Sequence, residues 1–547
     1  MKAKSNILVP NDFGKLRPYC SDASITYLKQ SLESLEIGRP VTPSFPLYGK
    51  RDVSILEDAR PTIKEGLHQD WLVEYEQSRE SKFGPQGGVP KWSDVEENFL
   101  LYATAPKQVR YIDNAIIREM KRVYSLLHCN QLGMTEALDH LKRSDKIESR
   151  AAGWSEYQLK KTDAEAQRVA LKMLKSGDWV HGYGYVFTRY QKLRPRIFMP
   201  MPFSSMINQA RWFVPFLGGI QNSILSEECA SPFAFWADKV GFTKCFSIME
   251  EELNTAKLES DEYVLYFSND FEKMDTRTGT SQYKSFFIPM LESAFGNSQM
   301  TEAILFTTTA PIITPSGTLT GDHGTASGAE VTNGGETVCN DYFQRRFLKV
   351  LDSKAMRCVC RRGNGDDSIL IFFVKKSCPL DKATEQIRTA LRQVCGETGF
   401  DAQLEKLEIS DKFGKYCQNV LEYKDGKVFW TYPLTLVLNS IVNPEHQYKK
   451  SEWDKDYRDI DIVQKLDNAR NHPNFHTFID WIMKGLKYPL LGKDETETNR
   501  ILSKYDKYRA LQSRGENYNR RDWSARYLSY FDKIRFVSVS SLPNNGY

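Results

Sequence analysis

Apolar and polar positions change rhythm several times along this chain, and each change predicts a different kind of element. Residues 1–50 carry short apolar runs broken by proline, with little periodicity, and predict an irregular start. Residues 94–141 and 157–175 then place apolar side chains at helical spacing opposite charged faces. The run DEYVLYFSND at 261–270 is strongly β-prone and ends in acids, and CVCRRGNGDDSILIFFV at 358–374 reads as strand, tight turn, strand. Helical patterns follow each of them at 281–295 and 380–398. Residues 420–429 place Asp425 and Gly426 between β-prone runs and predict a hairpin, after which the helical pattern resumes from about residue 434. Strands alternating with helices predict an α+β fold. The same changes suggest divisions at 1–160, 161–260, 261–433 and 434–547.

A chain of 547 residues is long enough for more than one subdomain. With 41% hydrophobic and 26% charged residues, it is neither a disordered nor a fibrous sequence. A formal charge of only +4 means that affinity for nucleic acid must come from local clusters of Lys and Arg. The ten cysteines lack zinc-ligand spacing beyond the close pair Cys358 and Cys360, so they are expected as reduced thiols. The N-terminus has no apolar core of a signal peptide, and no window approaches the ~18 apolar residues of a membrane span. A protein of the reducing cytoplasm, without membrane contact, is expected.

Two acidic sites carry the candidate chemistry. Asp270 and Asp275 are five apart, the first ending a strand and the second in the turn that follows, while Asp366 and Asp367 occupy a hairpin turn. Adjacent carboxylates repel one another, and a hard cation seeking oxygen ligands is the common reason to tolerate them. Gly363 and Gly365 permit such a turn. Two strands side by side in one sheet would let Asp270 and Asp366 share a pair of Mg²⁺ ions, the arrangement used for in-line phosphoryl transfer. Upstream, Lys192, Arg194 and Arg196 recur every second residue, showing three cations on one face of an extended segment, with Arg189 as a fourth member or a structural neighbour. The stretch GTLTGDHGTASG holds four glycines, which lets backbone approach a ligand closely. His323 beside Asp322 has no second ligand and reads as a hydrogen-bonding loop residue.

The order of these segments resembles the palm of viral RNA-dependent RNA polymerases. Asp270 and Asp275 match the D-x4/5-D of motif A, SGAEVTN from Ser327 matches motif B in part, and Gly365, Asp366 and Asp367 match the GDD of motif C. Length and the segments LNSIVNPEH and HPNFHTFIDW are most like the polymerases of picobirnaviruses, which are double-stranded RNA viruses. The resemblance implies a right-hand fold with fingers, palm and helical thumb. It also implies two-metal nucleotidyl transfer from ribonucleoside triphosphates to an RNA 3′-hydroxyl, with Mg²⁺ or substituting Mn²⁺ on Asp270, Asp366 and Asp367. Lys192, Arg194 and Arg196 would neutralise the triphosphate, and Asp275 and Asn333 would sense the 2′-hydroxyl in a network held by Ser327 and Thr332. The motif B asparagine does not fit, because Glu336 stands at its place and Asn333 and Asn340 flank it. Ser316-Gly317 is the weaker alternative for the motif B Ser-Gly. Lys406 matches the motif D lysine beside the leaving pyrophosphate, with Lys412 and Lys415 as rivals. The 420–429 hairpin matches motif E, which grips the nascent strand. Ser149 and Gly153, together with Gly328, are the template contacts implied, although SRAAGWS has one residue too many for motif G and KFGPQGGVP is its rival.

Template and nascent RNA and viral capsid protein are the partners implied, in the virion interior and the host cytoplasm. Two other readings remain open: a reverse transcriptase, against which Asp275 and GDD speak, and an RNA-binding structural protein, which leaves the motif order unexplained. Residues 500–536 mix basic and aromatic residues in a way that suits either a packed thumb element or a tail reaching the cavity.

Overall fold

The computed structural model describes residues 7–41, 54–143, 152–191, 193–271, 273–351, 353–402, 407–444, 461–462, 465–486 and 496, with Asp270 described through its backbone. Among these residues the strands are, in chain order, β1 (Leu8–Val9), β2 (Gly184–Tyr185), β3 (Phe187–Gln191), β4 (Arg194–Phe198), β5 (Glu262–Asp270), β6 (Ile312–Thr314), β7 (Gly317–Leu319), β8 (Met356–Asn364), β9 (Asp367–Lys375), β10 (Glu408–Ser410), β11 (Gly414–Tyr416), β12 (Asn419–Lys424) and β13 (Lys427–Thr431). The central sheet is antiparallel in the order β10-β5-β9-β8. Ile369 to Val374 are fully or almost fully buried along β9, as expected for an inner strand covered on both faces. On one face Phe267 meets Phe347 of the helix Thr332–Leu351 at 5.4 Å between ring centroids. On the other, Phe373 stacks on Tyr423 of β12 at 6.3 Å. The α+β expectation therefore holds, as do the strand-turn-strand at 358–374, the helix Leu380–Thr398 and the hairpin at Asp425 and Gly426, whose φ values of +50° and +75° are those of a primed turn.

A second core joins the sheet β1-β7-β6-β2 to N-terminal helices and the long helix Phe203–Glu227. A third packs Ile55, Leu56, Ala59 and Ile63 against the helices Leu434–Val442 and Phe475–Gly485. Glu76, from the helix Asp70–Glu80, is buried there and accepts from the backbone N–H groups of Leu434 and Thr435 at 2.7 and 3.0 Å. It thus caps a helix more than 350 residues away in sequence and fastens the N-terminal region to the C-terminal helices.

Local expectations need four corrections. Residues 1–50 are not wholly irregular, because Ser21 caps a helix Asp22–Ile37 whose Ile25, Leu28, Leu32 and Leu35 are buried. The pattern at 94–141 is three helices, Trp92–Thr104, Asn114–Tyr124 and Met134–Arg143, interrupted where Pro106 and the 128–133 segment break the backbone pattern. The helix predicted from residue 157 begins only at Ala164, the residues before it forming turns. The stretch at 281–295 contains a π-helical turn, Tyr283–Phe287.

Candidate active site

The antiparallel register of β5 and β9 sets Asp270 directly opposite Asp367. β8 brings Asn364 to the other side of Asp367, so Gly365 and Asp366 are the two loop residues between the strands. Gly365 has φ +59°, the conformation that a two-residue hairpin loop reserves for glycine at its first position. A Cβ at Gly365 would also stand 2.9 Å from Asn333 Nδ2, and one at Gly363 would stand 2.3 Å from the Phe235 ring. Asp366 is exposed on this turn and Asp367 half-buried beside it, while the Phe271 N–H reaches the Asp366 carbonyl at 3.5 Å. Two acidic sites nearly a hundred residues apart in sequence thus meet at the ends of the two inner strands.

The helix Thr332–Leu351 holds the turn in place. Thr337 Oγ1 accepts from the Gly365 N–H at 2.9 Å, and Asn340 Nδ2 donates to the Gly365 carbonyl at 2.9 Å and to that of Asp367 at 3.4 Å. One turn further, Gln344 donates to the Arg362 carbonyl at 2.9 Å. Asn340, one of the two asparagines flanking the motif B position, therefore serves the acidic turn. Asn333, the other, accepts from Lys239 Nζ at 2.7 Å and donates to Asn364 Oδ1 at 2.9 Å. Lys239 also donates to Asn364 at 2.5 Å and lies 3.3 Å from Asp238, and Lys239 and Asp238 are both buried. Burial raises the Asp238 carboxyl, and Lys239 and the Tyr416 hydroxyl, 3.0 Å away, oppose that rise. The sequence reading missed Lys239, which stands thirty-one residues before Asp270 with no local motif around it.

The glycine-rich loop lies against the segment after β5. Thr325 donates its N–H to the Asp275 carbonyl and its hydroxyl to that of Thr278, both at 2.7 Å, and a Cβ at Gly324 would fall 2.7 Å from the Asp275 oxygen. Ser327 Oγ accepts from the Met199 N–H at 3.3 Å, and a Cβ at Gly328 would meet the Met199 carbonyl at 2.4 Å. Gly328 is thus held by close backbone approach just past β4. The Thr332 hydroxyl donates to the carbonyls of Ala326 and Ala329 at 2.8 and 3.2 Å, which folds the loop onto the start of its helix. Both ring nitrogens of buried His323 face backbone carbonyls, at 2.6 and 2.8 Å, as expected of a loop residue. Ser316 accepts from the indole of Trp92 at 2.7 Å and, with Pro315, forms the tight connection of β6 and β7, while Gly317 pairs with Thr314 as the first residue of β7.

Asp275 is half-buried. One of its oxygens accepts from the Tyr102 hydroxyl and the other from the Thr276 N–H at 2.9 Å. Burial raises its carboxyl above the usual range, and Tyr102, Arg196 and Lys273 offset part of that. Tyr102, from the helix Trp92–Thr104, had no signal in the sequence beyond an aromatic at helical spacing. Glu336 is 7% exposed, and its Oε1 has no hydrogen-bond partner among the described residues. Burial, with the charges of Asp275 and Asp366 behind it, raises the Glu336 carboxyl well above the usual range.

Arg194 and Arg196 are exposed on β4, two residues apart and so on one face. The basic segment is not one extended strand, because β3 and β4 form a hairpin whose turn includes Leu193 at φ +62°. Arg189 lies opposite Arg196 and stacks over Phe198 at 4.2 Å, a structural placement. Gly153, φ +72°, is buried against the Met201 carbonyl. Gly87, within the rival KFGPQGGVP, bridges Tyr190 of β3. Lys415 is ion-paired with Glu408 and sits over the Tyr75 ring, so it is held in place beside β10. Lys192, Ser149, Lys406 and residues 500–536 lie outside the described residues, as does the Asp270 side chain.

All ten cysteines are free thiols, and among the described residues no helix is long and apolar enough to cross a membrane. No family model and no curated protein sequence matches the chain. Solved structures do. The RNA-dependent RNA polymerase of a human picobirnavirus superposes with a TM-score of 0.70 at 14% identity, over 92% of this chain and 94% of that one. An insertion-loop deletion mutant of a human picobirnavirus polymerase superposes with a TM-score of 0.71 at 15% identity, over 96% of this chain and 100% of its own. With sheet register, acidic turn and clamping helix in place, the chain has the fold of the viral RNA-dependent RNA polymerases.

Proposed function

We propose that the chain is an RNA-dependent RNA polymerase, which extends an RNA 3′-hydroxyl along an RNA template and releases pyrophosphate from each ribonucleoside triphosphate. The observation that carries this reading is the register that opposes Asp270 and Asp367, with Asp366 exposed in the turn beside them, in a chain that has a polymerase fold. The donor set there is all carboxylate, which suits hard cations such as Mg²⁺ or Mn²⁺. Two such ions on Asp270, Asp366 and Asp367 would supply activation of the 3′-hydroxyl and neutralisation of the triphosphate. The protein's own contribution is position. Thr337 and Asn340 fix the acidic turn, the loop from Gly321 to Gly328 brings backbone close to Asp275, and Arg194 and Arg196 offer guanidinium forks to phosphate oxygens. Asp275, partly exposed near Arg196, is placed to meet the ribose.

The finer reading rests on the resemblance to picobirnavirus polymerases. It is replication and transcription of a double-stranded RNA genome inside a particle, with capsid protein as a neighbour and Lys406 beside the leaving pyrophosphate. The test is synthesis on a defined RNA template, with and without primer, supplied with four ribonucleoside triphosphates and Mg²⁺ or Mn²⁺. Template-length product from the intact chain and none from Asp366→Ala is the expected result. Binding of RNA without any incorporation under all these conditions would overturn the reading in favour of an RNA-binding protein.

A further inference from the structure

Away from the acidic turn, cations gather on one outer surface. The segment 105–113 and the helix Asn114–Tyr124 expose Lys107, Arg110, Arg118, Lys121 and Arg122, and among the described residues no acid pairs with any of them. The end of the helix Thr332–Leu351 lies alongside, because Arg345 reaches Glu119 at 2.6 Å and Lys349 reaches Asp113 at 2.7 Å. Glu397 holds Arg346 through two bonds, at 2.8 and 2.9 Å. Asp113, Glu119 and Glu397, the acids in these contacts, are therefore already paired, and the surface is left with an excess of positive charge. Helical rise places Lys349 about 25 Å along the axis from Thr332, well away from the glycine-rich loop.

An aromatic ring stands among these cations. Tyr111 is 45% exposed, and Ile112 beside it is 37% exposed. The guanidinium of Arg346 covers one face of the Tyr111 ring, 4.7 Å from its centre, and the N–H groups of Arg110 and Tyr111 donate to the Glu397 carbonyl at 2.8 and 3.2 Å. Glu397 thus fixes both the backbone that carries the ring and the cation stacked on it. A single exposed tyrosine is ordinary, but one set on a fixed backbone against a fixed guanidinium loses little freedom when a second flat group stacks on it. The bases of single-stranded RNA are such groups, and its phosphates suit the surrounding cations. A duplex keeps its bases stacked on one another and would leave the ring unused, as would an acidic protein surface.

We infer that this surface is a second RNA-binding site, outside the catalytic cavity, at which Tyr111 stacks on a base of single-stranded RNA while Lys107, Arg110, Arg118, Lys121 and Arg122 meet the backbone. It keeps a strand on the protein while other RNA occupies the acidic turn. The choice of RNA as the occupant rests on the polymerase reading above.

The test uses the full chain loaded with one equivalent of a self-priming RNA hairpin. Fluorescence anisotropy then follows the binding of a short labelled single-stranded RNA of mixed sequence, of its duplex with the complementary strand, and of a labelled polyglutamate peptide. The expected result is that the single strand binds the loaded chain, and that Tyr111→Ala weakens this about five- to a hundredfold while leaving duplex binding as it was. Tyr111→Leu, which keeps an apolar side chain beside Arg346, should weaken it as well and so separates stacking from packing. Arg118→Gln, Lys121→Gln and Arg122→Gln together should make the fall of log affinity with log salt shallower by about two units. Nucleotide incorporation on the loaded hairpin should match the parent in every variant. Failure of the loaded parent to bind the single strand, or equal affinity and salt slope in parent and variants, would overturn the inference. So would polyglutamate bound as tightly as RNA and indifferent to Tyr111→Ala, which would make the surface a protein dock. Absence of incorporation by the unmodified chain would instead count against the polymerase reading, since the binding measurement does not depend on synthesis.

Discussion

The acidic hairpin of β8 and β9 and the basic hairpin of β3 and β4 are both antiparallel ribbons with tight turns, yet almost nothing else about them agrees. Around Gly365 and Asp366 the backbone is gripped by Thr337, Asn340 and Gln344 of one helix, and glycines at 363 and 365 leave no room for a side chain. Beneath it Arg362 is fully buried and paired with Glu252 at 2.7 Å. The basic hairpin shows exposed Arg194 and Arg196, together with Phe187 and Leu193, which are 44% and 45% exposed. Carboxylates that must share cations need fixed positions before substrate arrives, because their mutual repulsion favours any looser arrangement. Guanidinium groups that meet a flexible triphosphate need reach and charge, and exposure keeps their desolvation cost low. One ribbon is organised for geometry and the other for electrostatics.

The sharpest way to break that contrast is to remove charge from the rigid ribbon. Asp366→Ala should leave the thermal midpoint nearly unchanged, because the side chain is exposed, while incorporation falls about a thousandfold or more. Folded variant protein with near-normal synthesis would end the assignment of the acidic turn as the catalytic centre. Lys239→Met should do the reverse. It strands buried Asp238 without its cation, so about 3–5 kcal/mol of stability should be lost, read as a lower midpoint in denaturant. A midpoint equal to that of the parent would mean that the buried network does not support the turn.

Asn340→Ala separates position from charge. The acids all remain, but the carbonyls of Gly365 and Asp367 lose their donor, and about 1–3 kcal/mol is the expected penalty. Turnover at saturating nucleotide should drop about tenfold or more while RNA affinity, read by filter binding, stays as it was. On the basic ribbon, Arg196→Ala should leave stability alone and raise KM for the triphosphate about five- to tenfold, an effect that added salt in the parent protein should mimic. An altered turnover with unchanged KM would place Arg196 with the rigid ribbon instead.

The two ribbons were also unequally legible in the sequence. The second strand of the acidic hairpin announces itself through a β-branched and aromatic run, and the residues of its turn are the motif itself. The turn sets the register of β8 on β9, whereas the pairing of β5 with β9 that puts Asp270 opposite Asp367 is a long-range contact that no turn between them fixes. What lay hidden was everything that acts across long separations: Lys239, Tyr102, and Glu76 capping a helix over 350 residues away. Their side chains do their work through tertiary contact, and no local spacing distinguishes them from ordinary core or surface residues. The basic segment misled for a different reason. Alternating cations predict one extended face, but Leu193 adopts a left-handed backbone conformation that reverses the chain in their midst.

Tyr102→Phe should have the smallest effect and probes the link between the N-terminal helix and the segment after β5. Only a hydroxyl is lost, since the Tyr102 carbonyl keeps its bond from the Gly324 N–H at 2.6 Å. The lost donor serves a half-buried carboxyl whose ionisation burial already disfavours, and Tyr102 is the leading influence that opposes the rise. The sign follows from linkage. A carboxyl raised on folding lowers stability as pH climbs from its unfolded value through its folded one, and removing Tyr102 lifts the folded value further and widens that window. The variant should therefore match the parent in acid, below the ordinary carboxylate range, and fall behind by about 1 kcal/mol near neutrality. The measurement is unfolding by urea at a series of pH values. A loss of equal size at every pH would mean that the hydroxyl contributes only packing, and that the helix Trp92–Thr104 does not tune Asp275.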